Sequence, residues 1–193
     1  MGNQMSASCL VEIKVTGQQV HGSMPWYGLD PLPAASEIVI ASAQLYRRVS
    51  AFNPFTVSFG HVDDVGRFNI IGESVTLWGT IRCNVESDMA ATQDRLRELA
   101  VGIAHAHGCT ADVTYRQPVP AVHNSQEWIA ATLPTIERVI GRERIIESPP
   151  VLGYDDVSVF INEFGGVYLN YGVQDTCVVE NTFVPVPAAA AWP

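Results

Sequence analysis

One loop of this chain reads Val20-His21-Gly22-Ser23-Met24-Pro25-Trp26 and continues as Gly28-Leu29-Asp30-Pro31. Before it, residues 9–17 alternate apolar and polar side chains with period two, as a half-buried strand does. After it, Asp30 is a suitable N-cap with prolines in the first turn, so a helix is predicted over residues 30–49. His21 therefore lies on a stiffened loop between two regular elements, where proteins present side chains to a ligand. An ordinary surface histidine in a turn is the alternative interpretation.

The chain continues with a pattern of alternating strands and helices. Further strands are predicted at residues 55–60, 74–81 and 109–117, and a second helix at 88–107 with Asp88 as its cap. The resulting order, β-α-β-β-α-β, is the ferredoxin-like arrangement of one antiparallel sheet with two helices on one face. The predicted fold class is α/β (α+β), with one sheet face and one edge left to be covered or paired.

Pro118-Val119-Pro120 interrupts this pattern and is interpreted as a linker. The expected elements beyond it are a helix over 127–140 kinked at Pro134, a strand at 145–146, a helix from Asp155 or Asp156 to Phe164, and a strand over 167–172. These elements are too few to close a core of their own. We therefore predict two domains: residues 8–120, and residues 121–193 as the incomplete remnant of a larger α/β domain whose first half is absent.

The charge of the chain excludes several classes of partner. Lys and Arg number 11 of 193 residues, and the formal net charge is -9. Nucleic acids and anionic membranes are therefore not expected partners, because both are bound by clustered basic side chains. No basic segment followed by an apolar run appears at the N-terminus, and no stretch reaches membrane-spanning length, so the expected compartment is the cytoplasm.

The cysteines and histidines form no recognisable ligand set. Cys9, Cys83, Cys109 and Cys177 are widely spaced, without a Cys-x-x-Cys pair, and are interpreted as free thiols. His105 and His107 stand two apart in a predicted helix, where their side chains point about 200° apart and cannot share a metal. They are expected at the end of that helix, before Gly108.

Four segments resemble, in their order, the M20 family of metallopeptidases and amidohydrolases, most closely the branch that splits N-acyl amino acids: residues 21–25, 66–71, 79–82 and 153–158. The resemblance runs from about Ser8 to Gly172. It implies a small lid domain inserted into a metal-binding catalytic domain, with two subunits pairing through the lid. It further implies that a divalent metal ion, zinc, manganese or cobalt, serves the complete enzyme.

The resemblance also assigns roles to particular residues. His21 matches the imidazole that contacts the oxyanion in the neighbouring subunit's active site, and Asn69 and Arg82 match residues that bind the substrate carboxylate. Alternatively, Asn69 supplies turn chemistry and Arg82 is a strand-end charge. Asp155 and Asp156 match an acidic pair that usually begins with glutamate, but both also suit a helix cap.

None of His61, His105, His107 and His123 falls in a ligand motif, so no metal-binding residue is assigned and this chain alone is expected to bind none. Two functions remain open. The chain is a fragment of a homodimeric metal-dependent hydrolase of N-acyl or N-carbamoyl amino acids or small peptides. Alternatively, it is a non-catalytic dimerisation module that binds small carboxylates.

Overall fold

The computed structural model describes residues 2–172; Cys177 and the Pro- and Ala-rich end lie outside this range. In chain order the strands are β1 (Asn3–Met5), β2 (Ala7–Thr16), β3 (Val20–His21), β4 (Phe55–Asp64), β5 (Ile70–Ile71), β6 (Ser74–Cys83), β7 (Thr110–Val119) and β8 (Val122–His123). The α-helices are α1 (Pro31–Ser42), α2 (Ser87–Ala106), α3 (Gln126–Ile140) and α4 (Val157–Phe164). Short 3-10 helices span Pro25–Tyr27, Ala43–Arg48 and Arg142–Arg144.

The main sheet has four antiparallel strands in the spatial order β4-β6-β2-β7. With α1 and α2 between its strands in the chain, this is the ferredoxin-like arrangement that the sequence pattern predicts. Alternation along β2 carries Cys9, Val11, Ile13 and Val15 into a core shared with buried residues of both helices. Since consecutive side chains of a strand point to opposite faces, the residues between them lie on the open face of the sheet.

The helix boundaries differ in detail from those expected. Asp30 caps α1 by accepting a hydrogen bond from the Leu32 N–H at 3.0 Å, as predicted. The α-helix ends at Ser42, however, and a 3-10 helix continues to Arg48. Asp88 is not the cap of α2, which begins one residue earlier; its carboxylate accepts a hydrogen bond from the Asn53 side chain at 2.9 Å instead.

The linker interpretation of residues 118–120 is wrong, because β7 continues through Pro118 to Val119. β7 is an edge strand, so a proline without an N–H is tolerated there, and the positive φ of 50° at Gln117 accompanies a register shift against β2. Residues 145–146 and 167–172 are not strands. An apolar run becomes a strand only beside a pairing partner, and the Asn124 side chain instead bonds the Tyr168 backbone at 2.9 and 2.7 Å.

The first residues of the chain contact the segment that follows the main sheet. β1 pairs antiparallel with β8, and Met5 forms a parallel bridge with Val151. Ser6 donates a backbone hydrogen bond to the Gly153 carbonyl at 2.8 Å. This small assembly adjoins the Ala7 end of β2. Within residues 2–172, no helix has the length and apolar character needed to cross a membrane.

Candidate functional site

The loop that carries His21 is closed at its base. Gln18 and Leu29 exchange two backbone hydrogen bonds of 2.8 and 3.0 Å. Gly28 is required there, because a Cβ at this position would lie 2.4 Å from the Val20 side chain. The loop is therefore a compact Ω-loop whose two ends are joined by these hydrogen bonds.

A second segment holds the tip of this loop. β3 pairs with β5, which sets His21 opposite Ile70, and the Gly22 N–H donates to the Asn69 carbonyl at 2.8 Å. Asn69 lies in a tight turn closed by two backbone hydrogen bonds between Arg67 and Ile70. The structure thus brings His21 and Asn69 together, and both side chains are exposed.

The hydrogen bonds of His21 define its neutral tautomer. The Ser23 N–H donates to Nδ1 of His21 at 3.2 Å, and the Ser23 hydroxyl lies 2.8 Å from the same nitrogen. A ring nitrogen that accepts a backbone N–H carries no proton, so the neutral imidazole is protonated at Nε2. His21 therefore presents an N–H donor to solvent, which suits an oxygen that gains negative charge.

Arg82 lies at the other end of the sheet. It stands on the open face near the end of β6, opposite Ser8 of β2 and Thr56 of β4. β6 begins at Ser74, and this end of the strand is the one nearest the His21 and Asn69 pair. Arg82 lies eight residues further along β6, so about 26 Å of strand separates it from Ser74. One chain therefore does not bring Arg82 to the same small ligand as His21 and Asn69.

The surroundings of Arg82 leave one donor of its guanidinium unused within residues 2–172. Its Cζ lies 5.5 Å from the centroid of the Tyr154 ring, in a cation–π contact. Its Nε is buried, and within the described residues it has no hydrogen-bond partner. A buried unpaired donor costs free energy, and a carboxylate bound beside it would remove that cost.

Asp155 has a structural role. Its Oδ1 accepts the Val157 N–H at 2.9 Å, and its Oδ2 accepts the Tyr168 hydroxyl at 3.5 Å. Asp156 occupies the N-cap position of α4, but its side chain makes no capping hydrogen bond. Asp155 therefore supports the start of α4, as the capping interpretation expects.

The described thiols and histidines do not form a second site. Cys9, Cys83 and Cys109 are free and buried, and burial raises the pKa of Cys83 to about 11 and the pKa of the other two thiols as well. Such thiols stay protonated near neutral pH and are poor nucleophiles. His107, at the end of α2, pairs with Glu37 at 2.8 Å. Within residues 2–172, no group of three or more His, Cys, Asp or Glu side chains is placed to hold a metal ion.

The described residues thus form a four-stranded antiparallel sheet with one unpaired β4 edge, His21 and Asn69 near one end and Arg82 near the other. Residues 3–107 match the family model described as the peptidase dimerisation domain of M20 proteins. This match covers more than half of the chain, so the chain belongs to the M20 family of peptidases and amidohydrolases.

The relatives of the chain are hydrolases. It is 28% identical over 179 residues to the IAA-amino acid hydrolase ILR1-like 2 of Arabidopsis thaliana, covering 90% of this chain and 40% of the relative. It is 29% identical over 179 residues to an N-acetyldiaminopimelate deacetylase of Streptococcus suis, covering 91% of this chain and 47% of the relative. The chain thus spans less than half the length of these two proteins.

Solved structures agree on the fold. An aminohydrolase from methicillin-resistant Staphylococcus aureus superposes with a TM-score of 0.74 at 25% identity, over 86% of this chain and 43% of that one. The dinuclear metal binding peptidase YXEP of Bacillus subtilis, from the M20 family, superposes with a TM-score of 0.67 at 21% identity, over 86% and 40% of the two chains. This neighbour, itself an M20 protein, binds metal at a dinuclear centre.

Proposed function

We propose that this chain is the dimerising lid, with part of the catalytic domain, of a metal-dependent amidohydrolase that cleaves N-acyl or N-carbamoyl amino acids or small peptides. In this proposal each active site combines the Arg82 end of one subunit with the His21 and Asn69 end of its partner. The observation that carries it is the separation of these two ends by about 26 Å along one sheet. Residues 8–120 form the lid, and residues 121–193 belong to the catalytic domain.

The edges of the main sheet differ in their capacity to pair with a second copy. The β7 edge contains Pro118, which has no N–H, and the irregular backbone of Gln117. β4 contains no proline, and among the described strands it pairs only with β6. An unprotected edge strand is a template for pairing with another chain, so β4 is the proposed dimer edge.

Pairing of two β4 strands about a twofold axis brings the separated donors together. The two strands run antiparallel, so the Phe55 end of one meets the Asp64 end of the other. Arg82 stands opposite Thr56 near the first end, whereas Asp64 leads into the turn that contains Asn69. In the combined sheet the strand order is β6-β4 of one copy followed by β4-β6 of the other. Three strand spacings, about 14 Å, therefore separate the two β6 strands, and the loops that carry His21 and Asn69 project into this distance.

Each end then has a chemical role. The guanidinium of Arg82 binds the substrate carboxylate, with the two parallel hydrogen bonds that arginine offers. His21 Nε2–H of the partner donates to the scissile carbonyl oxygen as it gains negative charge. The resemblance assigns Asn69 to the substrate carboxylate together with Arg82, but Asn69 lies beside His21, so its amide is proposed to donate to the same carbonyl oxygen. Within residues 2–172 no group of side chains is placed to hold a divalent metal ion. The roles proposed for these residues are therefore substrate binding and hydrogen bonding to the carbonyl oxygen.

The buried Nε of Arg82, which has no hydrogen-bond partner within residues 2–172, also suits the second candidate, a non-catalytic dimeriser that binds small carboxylates. Joining the chain to the metal-binding half of an M20 hydrolase separates the two candidates. Turnover of N-acyl amino acids that requires both Arg82 and His21 supports the hydrolase. Full turnover with both residues replaced contradicts the hydrolase roles proposed for them, and carboxylate binding through Arg82 without any turnover supports the binding module.

Arg82→Ala in such an active hydrolase is expected to raise KM for substrates with a free carboxylate by about 100-fold, since a charge-assisted bidentate contact is lost. Substrates whose carboxylate is converted to an amide should change by less than threefold. Steady-state kinetics with both substrate forms measures this difference. Arg116→Ala is the matched control, because Arg116 already pairs with Glu12 at 2.7 Å. Equal losses for both substrate forms would contradict the carboxylate role.

Ile40→Glu is expected to weaken dimerisation by about 100-fold, because α1 flanks the β4 side of the sheet and Ile40 is 74% exposed on it. In the proposed dimer the two copies of α1 lie near the twofold axis, so the added carboxylates of the two subunits would repel each other. Sedimentation velocity across a concentration series measures the monomer–dimer equilibrium. Val101→Glu, on α2 beside β7, is the control and should dimerise normally. A dimer unchanged by Ile40→Glu and lost in Val101→Glu would exclude the β4 edge.

A further inference from the structure

Arg82 and Tyr154 belong to different parts of the chain and contact each other. Arg82 lies near the end of β6 in the main sheet, whereas Tyr154 lies in the segment that leads into α4. The guanidinium carbon of Arg82 is over the Tyr154 ring, 5.5 Å from its centroid. None of the ion pairs among residues 2–172 involves Arg82. An aromatic ring, rather than an acidic side chain, therefore accompanies this guanidinium.

A buried polar network connects the two segments that carry this pair. Ser6 is fully buried, and its backbone N–H donates to the carbonyl of Gly153, the residue before Tyr154, at 2.8 Å. The Ser6 hydroxyl donates to the side-chain oxygen of Asn84, two residues after Arg82, and Asn84 is buried as well. Buried hydrogen bonds are costly to break, so Ser6 fixes the backbone beside Tyr154 relative to the backbone beside Arg82.

The residue on the other side of Tyr154 is held too. Asp155 accepts the Val157 N–H at its carboxylate, at 2.9 Å, and the Ser158 N–H at its carbonyl, at 3.3 Å. Tyr154 thus has an anchored residue on each side, although its own side chain is 48% exposed. The backbone, and not burial in a core, positions this ring. Replacement of Tyr154 therefore opens no core cavity, and such variants should fold.

We propose that Tyr154 is a positioning residue for carboxylate binding: its ring holds the Arg82 guanidinium in the orientation that binds the substrate carboxylate. This inference rests on the proposed function. The donors of a guanidinium lie in its plane, so a ring over one face leaves them available at the edge. A free arginine side chain loses rotamer freedom when it binds a ligand, whereas one already held by a ring loses less. Tyr154 therefore contributes to affinity by preorganisation.

The test follows the Arg82 Nε–H of the purified chain in ¹H–¹⁵N spectra, where its resonance is assigned by its loss in Arg82→Lys. The ligands are N-acetylglycine and N-acetylglycinamide, which differ only at the carboxylate. Tyr154→Leu should weaken N-acetylglycine binding about tenfold, through loss of the cation–π contact and of preorganisation. Tyr154→Phe keeps the ring and should bind N-acetylglycine within about twofold of the parent. Binding of N-acetylglycinamide should be weak and the same in all three proteins.

A second measurement needs no ligand. Hydrogen exchange of the Arg82 Nε–H with water should be about tenfold faster in Tyr154→Leu than in the parent, because the uncovered guanidinium moves freely, and unchanged in Tyr154→Phe. Tyr171→Leu is the matched control, since it makes the same substitution at a tyrosine that is 84% exposed. Both the affinity and the exchange rate should keep their parent values in this control. Urea unfolding verifies that every variant is folded.

The outcomes separate the role of Tyr154 from the role of Arg82. An unchanged affinity for N-acetylglycine in Tyr154→Leu, an unchanged exchange rate in that variant, or equal losses in Tyr154→Leu and Tyr154→Phe would overturn the positioning role. Each of these results leaves the response of the parent chain to a carboxylate intact. A parent chain whose Arg82 resonance does not respond to N-acetylglycine, or responds equally to N-acetylglycinamide, would instead overturn the proposed function.

Discussion

Replacement of His21 by alanine is expected to lower turnover of an active hydrolase containing this chain by roughly 100- to 1000-fold, the scale of a lost oxyanion donor. The reason is the tautomer: Ser23 occupies Nδ1, so the neutral ring presents its proton at Nε2. Because this donor acts mainly on the developing charge, kcat should fall far more than KM rises. His105→Ala removes another exposed histidine, from the last turn of α2 and away from the β4 edge, and should leave turnover within twofold.

Mixed dimers test whether His21 acts across the subunit boundary. Subunits with His21→Ala are combined with subunits inactivated at the metal centre. Each heterodimer then has one active site with an intact metal centre. The intact His21 of that site comes from the other subunit, the one whose own metal centre is inactivated. Recovery of a substantial fraction of the activity per intact site is expected. Verified heterodimers without any recovery would assign His21 to its own subunit or to an ordinary surface turn.

Replacement of Gly79 by alanine is expected to lower the free energy of unfolding by about 3 kcal/mol, or to prevent folding. A Cβ at this position would lie 2.3 Å from the Ser58 carbonyl oxygen, and backbone of the neighbouring strand cannot move aside without losing its pairing. β4 would be pushed from β6 beside the bulge at Gly60. Because β4 is the proposed dimer edge, the variant should also dimerise poorly. Urea unfolding followed by circular dichroism measures the loss.

Gly102→Ala is the control with the opposite sign. Gly102 lies within α2, and a Cβ there meets nothing within 4 Å. Alanine favours the helix over glycine by about 0.5–1 kcal/mol, so this variant should be more stable than the parent. A Gly79→Ala protein that unfolds within 0.5 kcal/mol of the parent would contradict the close approach of β4 to β6.

Local patterns predicted the elements whose burial is regular. The alternation along residues 9–16 corresponds to β2, and Asp30 caps α1 as expected. Patterns failed where a neighbouring segment decides the outcome. Pro118 suggested a break, but β7 is an edge strand and tolerates a proline. The apolar residues 145–146 pair with no neighbouring strand and therefore do not form one. β4 extends to Asp64 because pairing with β6 resumes after the bulge, which no local pattern indicates.

The sequence by itself determined the α/β class, the order of strands and helices, and a stiff loop with His21 at its bend. These properties depend on side-chain periodicity, capping and turn residues, which act over a few positions of the chain. The tertiary structure decided that Asn69 lies beside His21, that Ser23 leaves the imidazole proton on Nε2, and that Arg82 stands at the far end of the sheet. Strand pairing joins residues remote in sequence, and its register, rather than any local propensity, sets the distances between them.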